Sequence, residues 1–214
     1  MRKTHILVAL ALLLALSVSA MAQEDEDEEK WRNFEVTLIG GLNFPMSDFK
    51  DWTDSLGAKT GYNIGLSGGY YLTERFSFGA YFAYSAHGME IYDLNYKLYD
   101  IGGYLKYAFS GESNFEPYFK VSAGAVIPKF ATWVTQDRNL LRELSYDPTL
   151  SLGVYAGFLY YTSDFGSLYL ELGYHNDMTE DVEGEYASET IKLASKINYL
   201  QLRTGITVFF GPDN

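Results

Sequence analysis

Cysteine is absent from this 214-residue chain. That excludes thiolate metal sites, thiol nucleophiles and disulfides, so any stability outside the cell must come from hydrogen bonding and packing alone. Proline is almost as scarce, at 5 residues against 20 glycines. So many glycines beside so few prolines must be explained inside regular elements and not only in turns. Positive charge is also in deficit: 16 Lys and Arg face 28 Asp and Glu, a formal net charge of −12. A chain this acidic is repelled by nucleic acid and by anionic lipid surfaces, which argues against both as partners for the whole chain. The last absence is of long apolar runs. Beyond the N-terminus no window reaches the about 20 apolar residues that a membrane helix needs.

What is abundant is aromatic: 19 Tyr and 14 Phe. Both favour strands, and Tyr, with an apolar body and a polar tip, suits water–membrane boundaries. The N-terminus has the pattern of a targeting segment. Arg2 and Lys3 precede the apolar run Ile6 to Leu16, and Ala20-Met21-Ala22 gives a small-x-small site before Gln23. A cleaved signal peptide over residues 1–22 is expected. Since Gln23 is not a cysteine, no lipid anchor is expected there. Cleavage would leave 14 basic residues against 28 acidic ones, a net charge of −14. Residues 23–30, Gln-Glu-Asp-Glu-Asp-Glu-Glu-Lys, are expected to be a solvated, disordered leader, because like charges repel and nothing there builds a core.

From Trp31 onward the hydrophobic period is two. Eight strands are predicted: Asn33 to Phe44, Tyr62 to Leu72, Phe76 to Ala86, Leu98 to Phe109, Phe115 to Ile127, Leu150 to Tyr160, Ser167 to His175 and Tyr199 to Phe210. In the last of these Leu200, Leu202, Ile206 and Val208 fall on one face, with Gln201, Arg203, Gly205, Thr207 and Phe209 on the other. The connections alternate. Short ones follow the second, fourth and sixth strands, and long ones (residues 45–61, 87–97, 128–149 and 176–198) follow the odd-numbered strands. Short turns on one side and long loops on the other are the pattern of transmembrane barrels. Aromatics mark two expected membrane boundaries. Near the short turns lie Tyr70, Tyr71, Phe76, Phe78, Tyr107, Phe109, Phe115, Tyr118, Tyr160, Tyr161, Tyr169, Phe209 and Phe210; near the long loops lie Phe44, Tyr62, Tyr84, Tyr99, Tyr174 and Tyr199. A soluble barrel or sandwich would need the other face to be a solvated exterior, and that face is too poor in charge and too rich in Gly.

These features resemble the small eight-stranded outer-membrane β-barrels, the OmpA/OmpX-like group. The resemblance rests on the Ala20-Met21-Ala22-Gln23 region, on Glu116-Pro117-Tyr118-Phe119 with Gly124, and on the final strand ending in Phe209-Phe210, and it covers residues 31–210. It implies an all-β, antiparallel, up-and-down transmembrane barrel in a Gram-negative outer membrane, monomeric and without a cofactor, among lipid and lipopolysaccharide. It also implies that the last strand, with Tyr199, Phe209 and Phe210, is read by the insertion machinery, although the short tail 211–214 follows it. Both termini would lie in the periplasm, and no wall-binding domain is implied.

By parity the lumen receives three acids, Glu35, Asp100 and Glu171, and three bases, Lys106, Lys120 and Arg203. Arg203 is expected to tie Glu171 and Glu35 on the flanking strands. Buried charges must pair, and eight strands leave room only for side chains, so a plugged lumen is expected. A structural or surface-interaction role follows, with a small-solute channel as the alternative. A lipid-modifying enzyme is a third reading. Its candidate groups, Ser85, His87 and Glu90 or His175 and Asp177, lie on strands where Ser85, His87 and His175 point inward, away from a lipid substrate, so no enzyme is expected. Outside, Phe130, Trp133, Val134, Arg138 and Arg142 have the composition of a contact surface or of strands extended beyond the membrane. Asp177, Glu180, Asp181, Glu183, Glu185 and Glu189 are expected to form a solvated acidic loop, with Ca²⁺ binding as its alternative and no dedicated calcium spacing.

Overall fold

The computed structural model describes residues 33–50, 57–88, 95–109, 114–133, 141–178, 182–186, 189–193 and 196–211. The expected signal segment and leader, and the tail from residue 212, lie outside the described residues.

Eight strands form the wall: β1 (Phe34–Met46), β2 (Gly61–Tyr71), β3 (Phe76–Gly88), β4 (Asn95–Ala108), β5 (Phe115–Trp133), β7 (Thr149–Ser163), β8 (Gly166–Asp177) and β11 (Ile197–Phe210). Each pairs antiparallel with its sequence neighbour in the wall, and β1 closes on β11 from Phe34↔Phe210 to Met46↔Asn198. Closure follows from alternation. A strand with one apolar and one polar face can hide its backbone groups from lipid only if the sheet has no edge. Apart from β5 (19 residues), the wall strands have 11 to 15 residues. At about 3.4 Å per residue and a tilt of about 40° such strands rise roughly 30 Å, enough to carry the apolar band of about 25 Å of a membrane barrel.

The sequence periodicity placed the eight wall strands, and their ends run further toward the long loops than the pattern suggests. β5 continues to Trp133 instead of ending at Ile127, and pairs beyond the wall with β6 (Leu141–Ser145). A second hairpin, β9 (Val182–Tyr186) with β10 (Glu189–Leu193), lies within the last long connection. One helical turn, α1 (Ser47–Lys50), follows β1.

The outward faces carry Leu38, Leu66, Phe82, Ile101, Leu105, Val154, Leu172 and Leu202, all exposed. The inward faces are buried and polar. They are also rich in tyrosine seated on glycine. Directly registered pairs are Gly79↔Tyr104, Tyr81↔Gly102, Tyr118↔Gly157, Gly173↔Tyr155 and Gly205↔Tyr169. In each, a side chain on the glycine would collide with the ring or hydroxyl of its tyrosine partner. The glycines therefore make hollows in the wall, and the tyrosines fill them. This accounts for much of both residues' abundance at once.

That packing corrects the reading of the boundary aromatics. Tyr71, Tyr118, Tyr169, Tyr199 and Phe209 are buried and Tyr161 is half-buried, all inside the barrel. Tyr71, Tyr161 and Phe209 cluster in the short-turn end, with Phe209 5.5 Å from Tyr161 and 6.5 Å from Tyr71 between ring centroids. Parity decides direction, and nearness to a turn does not. The outward belts retain Tyr70, Phe78, Tyr107, Phe109, Phe115, Tyr160 and Phe210 at one end and Phe44, Tyr62 and Tyr174 at the other, all exposed.

Candidate functional site

The candidate site is the lumen, since the chemistry-bearing side chains converge there. At the short-turn end, Glu35 on β1 receives Lys106 from β4 across the interior, with Nζ 2.7 and 2.6 Å from its two carboxylate oxygens. Tyr71 and Tyr104 donate to the same carboxylate at 2.6 and 3.0 Å. Glu35 is 2% exposed, so this saturation of its lone pairs is what makes its burial tolerable. Nearby, the buried hydroxyls of Thr37 and Thr207 bond to each other at 2.9 Å.

At mid-height Glu171 on β8 pairs with Lys120 from β5, and Arg203 Nη1 stands 3.6 Å from its other oxygen. Tyr118 donates to Glu171 at 2.9 Å. Both cations also lie over the ring of Tyr155, at 4.8 Å for Lys120 and 4.7 Å for Arg203. Attraction to the ring face adds to the carboxylate in holding them. Arg203 therefore does not tie Glu35 as the flanking-strand argument suggests. Its direct β8 partner is Glu171, registered across the ladder, while Glu35 is taken by Lys106. Beside this cluster is a cavity of about 10 Å³, room for about one water, lined in part by Lys120, Ser122, Tyr155 and Arg203.

Toward the long loops the chemistry changes. Asp100 on β4 accepts from Tyr81 at 3.1 Å and from Ser151 at 2.8 Å, and lies 3.3 Å from His175 Nε2. The same nitrogen is 2.8 Å from Asp177. His175 Nδ1 is 2.9 Å from the Tyr155 hydroxyl, which donates to Gln201 at 3.1 Å. Gln201 and Asn63 both donate to Asn43, at 3.0 and 2.6 Å. Asp177 is fully buried, so it belongs to this cluster and not to a solvated acidic loop. His175 and Asp177 join the six lumen charges expected from parity. The signal was available, because 173, 175 and 177 continue the inward parity of Glu171.

The mouth at the long-loop end is filled by Phe49 of α1. Its side chain is fully buried, 5.1 Å from His87 and 5.5 Å from Tyr96 between ring centroids. His87 in turn lies 5.5 Å from Tyr199, which stacks on His175 at 5.0 Å. No pattern in the sequence marks Phe49, because it comes from a connection and not from a strand. Ser85, His87 and His175 are all buried on the inner side. Among the described residues no group of three or more His, Cys, Asp or Glu is arranged to hold a metal ion. Arg138, Glu180 and Asp181 lie outside the described residues, as do the side chains of Phe130, Trp133, Arg142, Glu183, Glu185 and Glu189.

The architecture can now be set beside known proteins. The sequence model of the outer membrane protein beta-barrel domain matches residues 8–149, about two thirds of the chain. This chain belongs to that family. Its outer-membrane barrel fold is shared with solved structures of low sequence identity. Neisserial surface protein A superposes with a TM-score of 0.60 at 19% identity, over 83% of this chain and 97% of that one. AlkL, determined in lipid bilayers, gives a TM-score of 0.54 at 11% identity, over 91% and 99%. OprG from Pseudomonas aeruginosa gives 0.51 at 13% identity, over 87% and 100%. No curated protein matches the sequence. For a member of the outer membrane barrel family the exposed Leu, Ile, Val and Phe of the wall are the lipid contact, and the buried ion pairs are the lumen.

Proposed function

We propose that this outer-membrane barrel has a structural or surface-interaction role, with a lumen sealed by its own side chains. The observation that carries this reading is the continuity of the filling. Glu35–Lys106, then Lys120–Glu171–Arg203, then Asp100–His175–Asp177 follow one another along the axis, and Phe49 stands over the last. Opening an ion path would separate charges that are paired and buried, at a cost of several kcal/mol each. In this reading the signal segment is cleaved, both termini and the short turns lie in the periplasm, and the long connections with the β5–β6 and β9–β10 hairpins reach outside, where a partner would be met. The barrel works as a monomer among outer-membrane lipids, without a cofactor, and the insertion machinery recognises β11. It is not an enzyme: the imidazoles of His87 and His175 face Asn43 and Asp100 inside the barrel, away from any lipid substrate.

Planar-bilayer recording of the refolded full chain tests this. The proposal predicts a silent bilayer. Reproducible conductance steps in the wild type would favour the small-solute channel instead.

A further inference from the structure

Two buried histidines stand on either side of Tyr199 at the long-loop mouth, and their surroundings differ. His175 lies 2.8 Å from Asp177 and 3.3 Å from Asp100, whereas His87 meets an amide and a backbone carbonyl. The hydrogen bonds that join them run in one direction. The Tyr155 hydroxyl spends its one proton on Gln201 Oε1, so His175 Nδ1 must donate to it. Gln201 Nε2 donates to Asn43 Oδ1, and Asn43 Nδ2, which can only donate, faces His87 Nε2 at 3.4 Å. His87 Nδ1 faces the Lys59 carbonyl, which can only accept, at 3.2 Å. His87 therefore carries its proton on Nδ1 and a lone pair on Nε2, and is neutral. His175, which donates from Nδ1 and has both carboxylates at Nε2, is the imidazolium.

A second proton on His87 would point at the Asn43 amide. Turning that amide over gives no relief, because its nitrogen would then meet the donors of Asn63 and Gln201. The other groups around the ring bring no negative charge. Phe49 comes from α1, Tyr199 from β11, and Tyr96 from β4, directly registered with His87. The side chain of Lys59 is exposed and positive. Asp100 and Asp177, beyond Tyr199, are engaged by His175. The cover over His87 is slight. It is the single turn α1 with Phe49, where Ala58 N–H donates to the Phe49 carbonyl at 2.8 Å and Lys59 N–H to the Gly88 carbonyl at 2.7 Å.

We propose that His87 is an acid-operated latch on the mouth of the barrel. Neutral, it completes the directed chain and seats Phe49; protonated, it releases α1 and Phe49 and lets water reach the ring. The inference rests on the reading that the lumen is sealed and its long-loop end faces outward, so the acidity sensed is that of the outside. A histidine in water takes up its proton at about pH 6.5. The seated form disfavours that proton and the released form accepts it, so release is favoured as pH falls below this value and not above it. At about pH 5 this linkage multiplies release by about thirty relative to about pH 7.5.

The test is amide hydrogen exchange of the full chain refolded in phosphatidylcholine nanodiscs, read at Ala58 and Lys59 and corrected for the intrinsic pH dependence of exchange. Imidazole nitrogen NMR reports the protonation states, and a heat-modified gel reports barrel folding. At about pH 7.5 the wild type is expected to show His87 neutral with its proton on Nδ1 and His175 as the imidazolium. Protection of the two amides is expected to fall about thirtyfold between about pH 7.5 and about pH 5. His87→Gln, whose amide can accept from Asn43 and cannot titrate, is expected to keep its protection at both. Unchanged wild-type protection at the acid pH, or the same loss in folded His87→Gln, would overturn the latch and leave the sealed-lumen reading intact. An imidazolium at His87 at about pH 7.5 would overturn it without any variant. A folded wild type with both amides unprotected at about pH 7.5 would instead overturn the sealed mouth itself.

Discussion

The two faces of the barrel wall are made by the same strands and obey opposite rules. On β4, Ile101 and Leu105 are exposed and stand in lipid, while their neighbours Asp100, Tyr104 and Lys106 are buried in contacts with other side chains. The outer face requires little beyond apolarity, because lipid adapts to any apolar relief. The inner face requires specific partners, because a buried charge or hydroxyl without one is costly. A substitution should therefore be judged by the face it falls on before its chemistry is considered.

The sharpest way to break this contrast is Glu171→Ala. It leaves Lys120 and Arg203 at mid-lumen without their shared carboxylate. Unfolding in urea, followed by heat-modified gel migration, is expected to show a loss of about 3–5 kcal/mol. A somewhat smaller effect is expected on the other face. Ile101→Arg places a charge on the lipid-facing wall, at a cost of about 2–4 kcal/mol if the residue lies near the bilayer midplane, and the same titration checks it. The finest distinction uses one substitution on both faces. Gly173→Ala drives a methyl group into the Tyr155 ring and is expected to cost about 1–3 kcal/mol. At the outward Gly40, a methyl group meets only the Thr204 carbonyl at 3.9 Å. Gly40→Ala is expected to be neutral or stabilising by up to about 1 kcal/mol. Equal costs at the two sites would mean that the tyrosine–glycine seating contributes nothing.

The strands, their closure and the face on which each residue lies were legible because a period of two is a local property of the chain. Glu35, Asp100, Lys106, Lys120, Glu171 and Arg203 were placed inside by parity alone. Their pairing was not legible. Which cation meets which acid depends on the stagger between strands, and stagger sets height: Lys106 reaches Glu35 from β4 across the interior, while Arg203 stays with its registered neighbour Glu171. The inward turn of Tyr71, Tyr118, Tyr169, Tyr199 and Phe209 was written in the same parity, and grouping aromatics by nearness to the turns obscured it. Phe49 was illegible for a different reason. It lies on a single helical turn in a connection, where no periodicity exists, and only the folded mouth shows the space it fills.

The absence of cysteine makes the central claim directly measurable, because any introduced thiol is the only one. Ser122→Cys puts a thiol beside the mid-lumen cavity, and Leu105→Cys puts one on the lipid face. Labelling the folded barrel in bilayers with a membrane-impermeant and a lipid-soluble maleimide tests both faces at once. The account predicts that the Leu105→Cys thiol reacts only with the lipid-soluble reagent, and that the Ser122→Cys thiol reacts with neither until the barrel is unfolded. Rapid labelling of the Ser122→Cys thiol by the impermeant reagent in the folded barrel would contradict a sealed lumen.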